Sequence, residues 1–527
     1  MALNHNKKSK LENSLLNLAT SLGSQFLVII LNFITRTVFI STLGKEYLGI
    51  NGLFTDILTM LSLTELGFDT AINYQMYKPI AEHDDKRVRV LMKFYKQAYR
   101  VIGVVILALG LCLIPTLPYL IRDYDSLAPL GINAAVVFIL YLLHSASSYL
   151  FFAYRSAIVK ANQKTYLLET AGYAVSIVRN AAQILVLVLW KSFILYTGML
   201  ILFGILQNLI NAIIATKYYP QFFAREEESL NKEEVRNLFK DCGALLAYRV
   251  NDTVLKATDN LVLSSFIGLA IVGVYSNYLL CYTTTKNILR RVFESVKASM
   301  GNLYATQDTP AKYSVFETMQ YLTMILYGTA GTGIAVCANE LIQAWIGSDY
   351  VIAMPFSILI GMEILFEGLT SNLAQTRNVS GVFRQMWYRP VLSALCNLVV
   401  SILLVRVWGI YGVIAGTLIA ILTTNFVIDP PVIHQHSFQN YKPVWVFYRK
   451  NLLYLAVLAC VCAADMWLCS RFFVGLGWWS VIIHAMFVCV TVPGTFIGVF
   501  WKTHECQYLM KLFGRVTNKL LRRSRSA

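Results

Sequence analysis

"VFISTLGKEYLGI", residues 38–50, and "VLSSFIGLAIVGV", residues 262–274, overlay at a constant offset of about 224 residues, with Val38, Ser41, Gly44 and Gly49 matching Val262, Ser265, Gly268 and Gly273. Small residues recur in any apolar chain, so the match gains meaning only from the frame around it. That frame is a series of apolar runs of about 20 residues, each long enough to cross a hydrocarbon core as a helix. About fourteen such runs can be drawn, and an even number of them separates the two copies. The copies then share one orientation. The pattern predicts an all-α polytopic membrane protein: two parallel six-helix halves around a central cavity, plus an appended helix pair.

The expected divisions are 1–216 for the first half, 217–242 for a cytoplasmic linker helix and 243–430 for the second half. Spans 13 and 14 occupy 431–501, and a basic amphipathic tail follows at 502–527. The longest connections, near 74–98 and 217–242, are too short for a soluble domain, so any activity belongs to the helices.

Composition agrees. Of 527 residues, 57% are hydrophobic and 14% charged, an unusually small charged share for a soluble surface. The net charge of +16 would suit nucleic acid, but the bases fall in alternate connections. With both ends inside, inner segments hold Lys7, Lys8, Lys10, the run "KRVRVLMKFYKQAYR" and the tail "KLLRRSRS"; outer loops hold only Lys45, Arg122, Lys191, Arg406 and Arg471. This bias sets cytoplasmic termini and makes the charge a topology signal, against nucleic-acid binding. Most of the ten cysteines lie inside apolar runs with no CxxC pair and read as small buried hydrophobes.

Charged residues inside spans are costly, about 3 kcal/mol each at the bilayer centre, and need a wet interior or partner helices. The stretch "RVNDTVLKATDN", 249–260, carries Arg249, Asp252, Lys256 and Asp259 at spacings of three, four and three, a single stripe on a helix. Span one, its counterpart under the repeat, carries Gln25, Asn32 and Arg36. Span eight adds Lys286, Arg290 and Glu294, span two adds Glu65 and Asp69, span ten adds Glu363 and Glu367, and span five adds Arg179. Two readings stand: mutual neutralisation that holds the bundle in register, or a solvated cavity. Around spans seven and eight bases outnumber acids, which favours an anionic ligand such as a diphosphate, with Arg bonding it bidentately and Lys as a point charge. Lys286, Arg290 and Arg291 also fit topology anchors at a span end.

Other features have plainer explanations. Tyr275, Tyr278 and Tyr282 fit packing or an interfacial belt better than sugar stacking. Gly412 and Gly416 form a GxxxG that close helix contact explains. Asp123 and Asp125 in "RDYD" superficially resemble the acidic pairs of membrane glycosyltransferases, but a short polar loop explains them. His434 and His436 in "VIHQHSF" read as loop residues without a third metal ligand. Neither a GxxxxGK[ST] nor a nucleophile elbow occurs, so no enzyme, cofactor or metal is expected.

Residues 43–103, "LGKEYLGINGLFTDILTMLSLTELGFDTAINYQMYKPIAEHDDKRVRVLMKFYKQAYRVIG", resemble bacterial polysaccharide transporters of the Wzx type, lipid-linked oligosaccharide flippases of the multidrug/oligosaccharidyl-lipid/polysaccharide exporter superfamily. The likeness is concentrated there and around spans seven and eight. It implies alternating access and movement of an undecaprenyl-diphosphate-linked oligosaccharide across the bacterial plasma membrane for surface polysaccharide. On that reading Arg36, Arg249, Lys256, Lys286 and Arg290 would hold the diphosphate. Glu65, Asp69, Asp252, Asp259 or Glu367 would bind a coupling proton or sodium ion. Membrane lipids, a polysaccharide polymerase and glycosyltransferases are the implied partners. A peptidoglycan-precursor flippase and a drug or cation antiporter are the alternatives, with a membrane glycosyltransferase or polymerase behind them.

Overall fold

The computed structural model describes residues 10–62, 68–162, 164–224, 228–236 and 257–511. Among these, every regular element is a helix. The first are α1 (Lys10–Leu43), α2 (Lys45–Leu61), α3 (Phe68–Ala81), α4 (Asp85–Leu113), α5 (Leu117–Leu120), α6 (Ala134–Leu150), α7 (Ser156–Ala161), α8 (Thr165–Trp190), α9 (Phe193–Tyr218) and α10 (257–266). They are followed by α11 (Leu269–Thr306), α12 (Thr309–Ile346), α13 (Met354–Ser380), α14 (Arg389–Trp408), α15 (Ile410–Ala420), α16 (Val427–Ser437), α17 (Val444–Cys469), α18 (Trp478–Val499) and α19 (504–511). Nine helices among the described residues are long and apolar enough to cross a membrane, ten if the bent pair α6 and α7 counts as one span. The chain divides into two compact units, residues 1–273 and 274–527.

In the first unit the repeated glycines do the same two jobs. Gly44 (φ 93°) separates α1 from α2, and Gly268 (φ 131°) separates α10 from α11, so each takes the left-handed backbone that a Cβ disfavours. Five residues on, Gly49 and Gly273 pack reciprocally. A Cβ on Gly49 would run into the carbonyl of Leu269, and one on Gly273 into the carbonyl of Lys45. Leu269 and Lys45 are themselves repeat partners, so the contact is symmetric in sequence as well as in space.

The stretch near 74–98, expected as a connection, is helical except for residues 82–84. Asp84 caps α4 by accepting from Arg87 N at 2.9 Å, and one face of α4 buries Val88, Leu91, Met92, Tyr95 and Tyr99. Its basic residues lie on the remaining faces: Lys86 pairs with Glu228 and Arg87 with Glu234 at 2.7 Å. Asn231 and Glu234 complete a capping box, each side chain accepting from the other's backbone N–H at 2.8 Å. The described residues 228–236 thus dock on α4.

The "RDYD" segment has a structural task in the same unit. Ser264 Oγ donates to Leu120 O at 2.8 Å, Arg122 donates to Phe266 O, and Asp123 lies against Gly268. These contacts hold the end of α10.

The second unit is built on α12, more than half of whose apolar window is buried. It crosses α13 at Gly331 and Gly361, where a Cβ on either would meet the other's carbonyl. Helices α17 and α18 dock on α12 through Tyr321, Tyr454, Phe496 and Phe500, and Tyr321 donates to Phe496 O at 3.0 Å. Gly412 and Gly416 bring α15 against Leu404 and Ser401 of α14, the close contact expected of a GxxxG. His434 and His436 lie in α16, not in a loop, because α16 continues α15 through a π-turn at Ile421–Phe426. His434 is buried beside the rings of Tyr313, Phe316, Phe438 and Phe447.

Candidate functional site

Arg249, Asp252, Lys256 and Glu65 lie outside the described residues, as does the side chain of Asp69 on α3. Asp259, on α10, is buried, and its neighbour Asn260 donates to Asp56 of α2. The remaining candidates fall into two groups, one in each unit.

In the first unit, Arg36 of α1 and Arg179 of α8 are both half-buried and lie within electrostatic reach of Tyr196 on α9. Next to them Thr35 donates to Asn180 at 2.8 Å, tying α1 to α8. Arg179 and Gln183 are one turn apart on the same face of α8. Arg179 Nε, Gln183 Nε2 and, on α6, His144 Nδ1 are buried atoms with no hydrogen-bond partner among the described residues. Arg179 also acts on His144 and has no carboxylate within ion-pair distance among the described residues. A polar seam between α1, α6, α8 and α9 therefore presents cationic and amide donors that lack acceptors. Unmet buried polar groups cost about 1–3 kcal/mol each, so the seam suits water or an oxygen-rich ligand.

In the second unit, Lys286 of α11 and Glu367 of α13 form an ion pair, although the sequence suggested opposite roles for them. Tyr282 donates to the other oxygen of Glu367 at 2.7 Å and Glu363 is buried one turn away on α13. Arg290 sits one turn beyond Lys286 with an exposed side chain. Tyr278 donates to Asn339 at 2.7 Å, accepts from Ile352 N at 2.9 Å and packs edge-on to Phe356; it serves the core.

Several charged clusters went unsignalled because their members sit near span ends, where charge is ordinary. Arg377 reaches Asp429 at 3.0 Å, Arg389 reaches the same carboxylate at 3.3 Å, and all three are buried. Lys450 is clasped between Glu317, at 2.5 Å, and Glu505 of α19, while Lys442 meets Glu317 at 2.9 Å. His484 Nδ1 contacts Glu340 at 2.8 Å.

The family model described as "polysaccharide biosynthesis protein" matches residues 14–296, more than half of the chain. No curated protein matches. Among solved structures, the lipid II flippase MurJ in an inward closed conformation aligns with 92% of this chain and 100% of its own, at 14% identity and TM-score 0.61. An inward-facing multidrug-resistance MATE family transporter of the MOP superfamily aligns with 79% of this chain and 96% of its own, at 12% identity and TM-score 0.61. An outward-facing transporter of that family gives 81%, 96%, 12% and 0.51. At such identities the likeness is one of fold. With its apolar helices and the match over residues 14–296, the chain belongs to the polysaccharide biosynthesis protein family, as a multi-span membrane protein with the fold of the MOP-superfamily transporters.

Proposed function

We propose that the chain is a flippase for a lipid-linked oligosaccharide carried on undecaprenyl diphosphate, moved from the cytoplasmic to the outer leaflet of the bacterial plasma membrane by alternating access. One observation carries this reading: Arg179 and Gln183 offer buried donors without acceptors beside Arg36, in a seam that crosses the first unit. A diphosphate supplies charge and several acceptor oxygens at once, and an Arg bonds it in a forked geometry. An organic cation would gain nothing from two guanidinium groups, which disfavours a drug-antiporter role. Arg249 and Lys256, outside the described residues, are proposed from the sequence as further cations for the diphosphate, while Lys286 and Arg290 belong to a second group in which Glu367 takes part. Asp259, Asp252, Asp69, Glu65 and Glu367 are the carboxylates through which proton or sodium coupling would act.

The peptidoglycan precursor, also a lipid diphosphate, is the second reading, favoured by the fold shared with MurJ. Arg179→Ala and Arg36→Ala are expected to lower surface polysaccharide at least tenfold, with the protein still inserted at wild-type levels. Wild-type polysaccharide in Arg179→Ala cells would refute the cationic role. Rescue of a strain depleted of its lipid II flippase, with surface polysaccharide unaffected by deletion, would assign the precursor instead.

A further inference from the structure

A groove lies at the bend between α6 and α7, lined by residues other than those of the polar seam. Helix α6 ends at Leu150, and the chain turns by 43° into α7 through Phe152, whose φ of 59° is left-handed. A bulky residue adopts that backbone only at a cost of about 1–3 kcal/mol, so the surroundings hold it there. The turn sets the Phe152 ring 5.1 Å from the Arg155 guanidinium, and Phe223 covers it at 4.8 Å. Arg155 Nη1 donates to Thr216 of α9 at 2.8 Å and Nε reaches Tyr154 at 3.4 Å. Among the described residues the guanidinium is held by rings and hydroxyls.

Beside it opens a groove of about 420 Å³, lined by Phe152, Arg155 and a single stripe of α9: Leu209, Ala212, Ile213, Thr216 and Lys217. These positions follow the three- and four-residue spacing of one helix face, and the stripe runs about 12 Å along the axis. Its far part is apolar, with Leu209 43% and Ile213 57% exposed; its near part is cationic. Lys164 lies over the rings of Tyr218 and Tyr219, residues just past the end of this stripe in sequence, at 5.4 and 5.3 Å. Among the described residues no carboxylate pairs with Arg155, Lys164 or Lys217. An apolar track that ends in two cations, Arg155 and Lys217, at a span end matches a lipid whose headgroup is a phosphate. Basic pockets between spans on the charged side of a membrane protein bind such headgroups.

We infer that this groove binds an anionic membrane phospholipid, its phosphate on Arg155 and Lys217 and an acyl chain along Leu209, Ala212 and Ile213. The occupant is a bilayer lipid and not the transported one, because the groove has length for a single chain segment only. The site would anchor the α6 to α7 bend to the charged leaflet.

The full chain, in nanodiscs or detergent, can be titrated with phosphatidylglycerol and with phosphatidylcholine, reading thermal unfolding and bound lipid by native mass spectrometry. Phosphatidylglycerol should bind and raise the melting temperature where phosphatidylcholine does not. Each lost cation should weaken binding roughly fivefold. Lys217→Gln removes an exposed charge without touching the packing, so it separates binding from folding; Arg155→Gln should add to it. Equal binding of both lipids, or unchanged phosphatidylglycerol affinity in Lys217→Gln, would overturn the inference. So would displacement of phosphatidylglycerol from the wild type by undecaprenyl phosphate at lower concentration, which would make the groove a substrate site.

Discussion

Lys286 and Glu367 show what a charge inside a span can mean. Each was legible from sequence as an ionic group on an apolar helix, but their partnership was not, because periodicity assigns residues to a face and cannot say which faces meet. Their side chains are 21% and 24% exposed, so the pair is only partly desolvated. Replacing either by Ala should cost about 1–3 kcal/mol by stranding its partner, and replacing both should cost less than the sum. A double-mutant cycle of unfolding in detergent measures this; strict additivity would mean that the pair contributes no coupling. Glu505 makes a different case, outside the spans. Burial works to raise its pKa, but the hydrogen bond and charge of Lys450 outweigh it and leave it below the ordinary 4.5. A carboxylate depressed on folding stabilises above its unfolded pKa, and that stability is lost as pH falls through the folded value. Unfolding midpoints between pH 7 and pH 3 should therefore fall more steeply in the wild type than in Glu505→Gln.

In the sequence the repeat was a match of small residues that took its meaning from the spans around it; the structure gives it a helix–glycine–helix geometry. Glycines are readable where geometry allows nothing else: a positive φ at Gly44 and Gly268, and helix crossing at Gly49 and Gly273. An alanine inside a helix normally gains about 1 kcal/mol over glycine. Here the added Cβ meets backbone carbonyls that cannot rotate away, and overpacking of about 1–3 kcal/mol outweighs that gain. Gly49→Ala and Gly273→Ala should each lower the melting temperature, and an increase in either would show that the crossing yields. The sequence was less informative about where helices begin. Stretch 74–98 looked like a loop because its basic residues mask the buried face of α4, and α16 looked like one because Pro430 and Pro431 follow a π-turn.

For the whole molecule, hydropathy and charge bias gave an all-helical membrane protein, and the family match agrees with the resemblance read at residues 43–103. What stayed hidden is the polar seam, since Arg179 stood out in span five while its neighbours Gln183 and His144 are polar residues of the kind that many spans tolerate. The seam acquires meaning only when α6 and α8 bring unmet polar atoms together. Its role is tested most directly in reconstituted vesicles containing a fluorescent undecaprenyl-diphosphate oligosaccharide, with a membrane-impermeant quencher or glycosidase added outside. The account predicts that wild-type protein makes the internal label reachable and that Arg179→Ala, inserted equally well, leaves it protected. No movement by the wild type, or equal movement by Arg179→Ala, would contradict it.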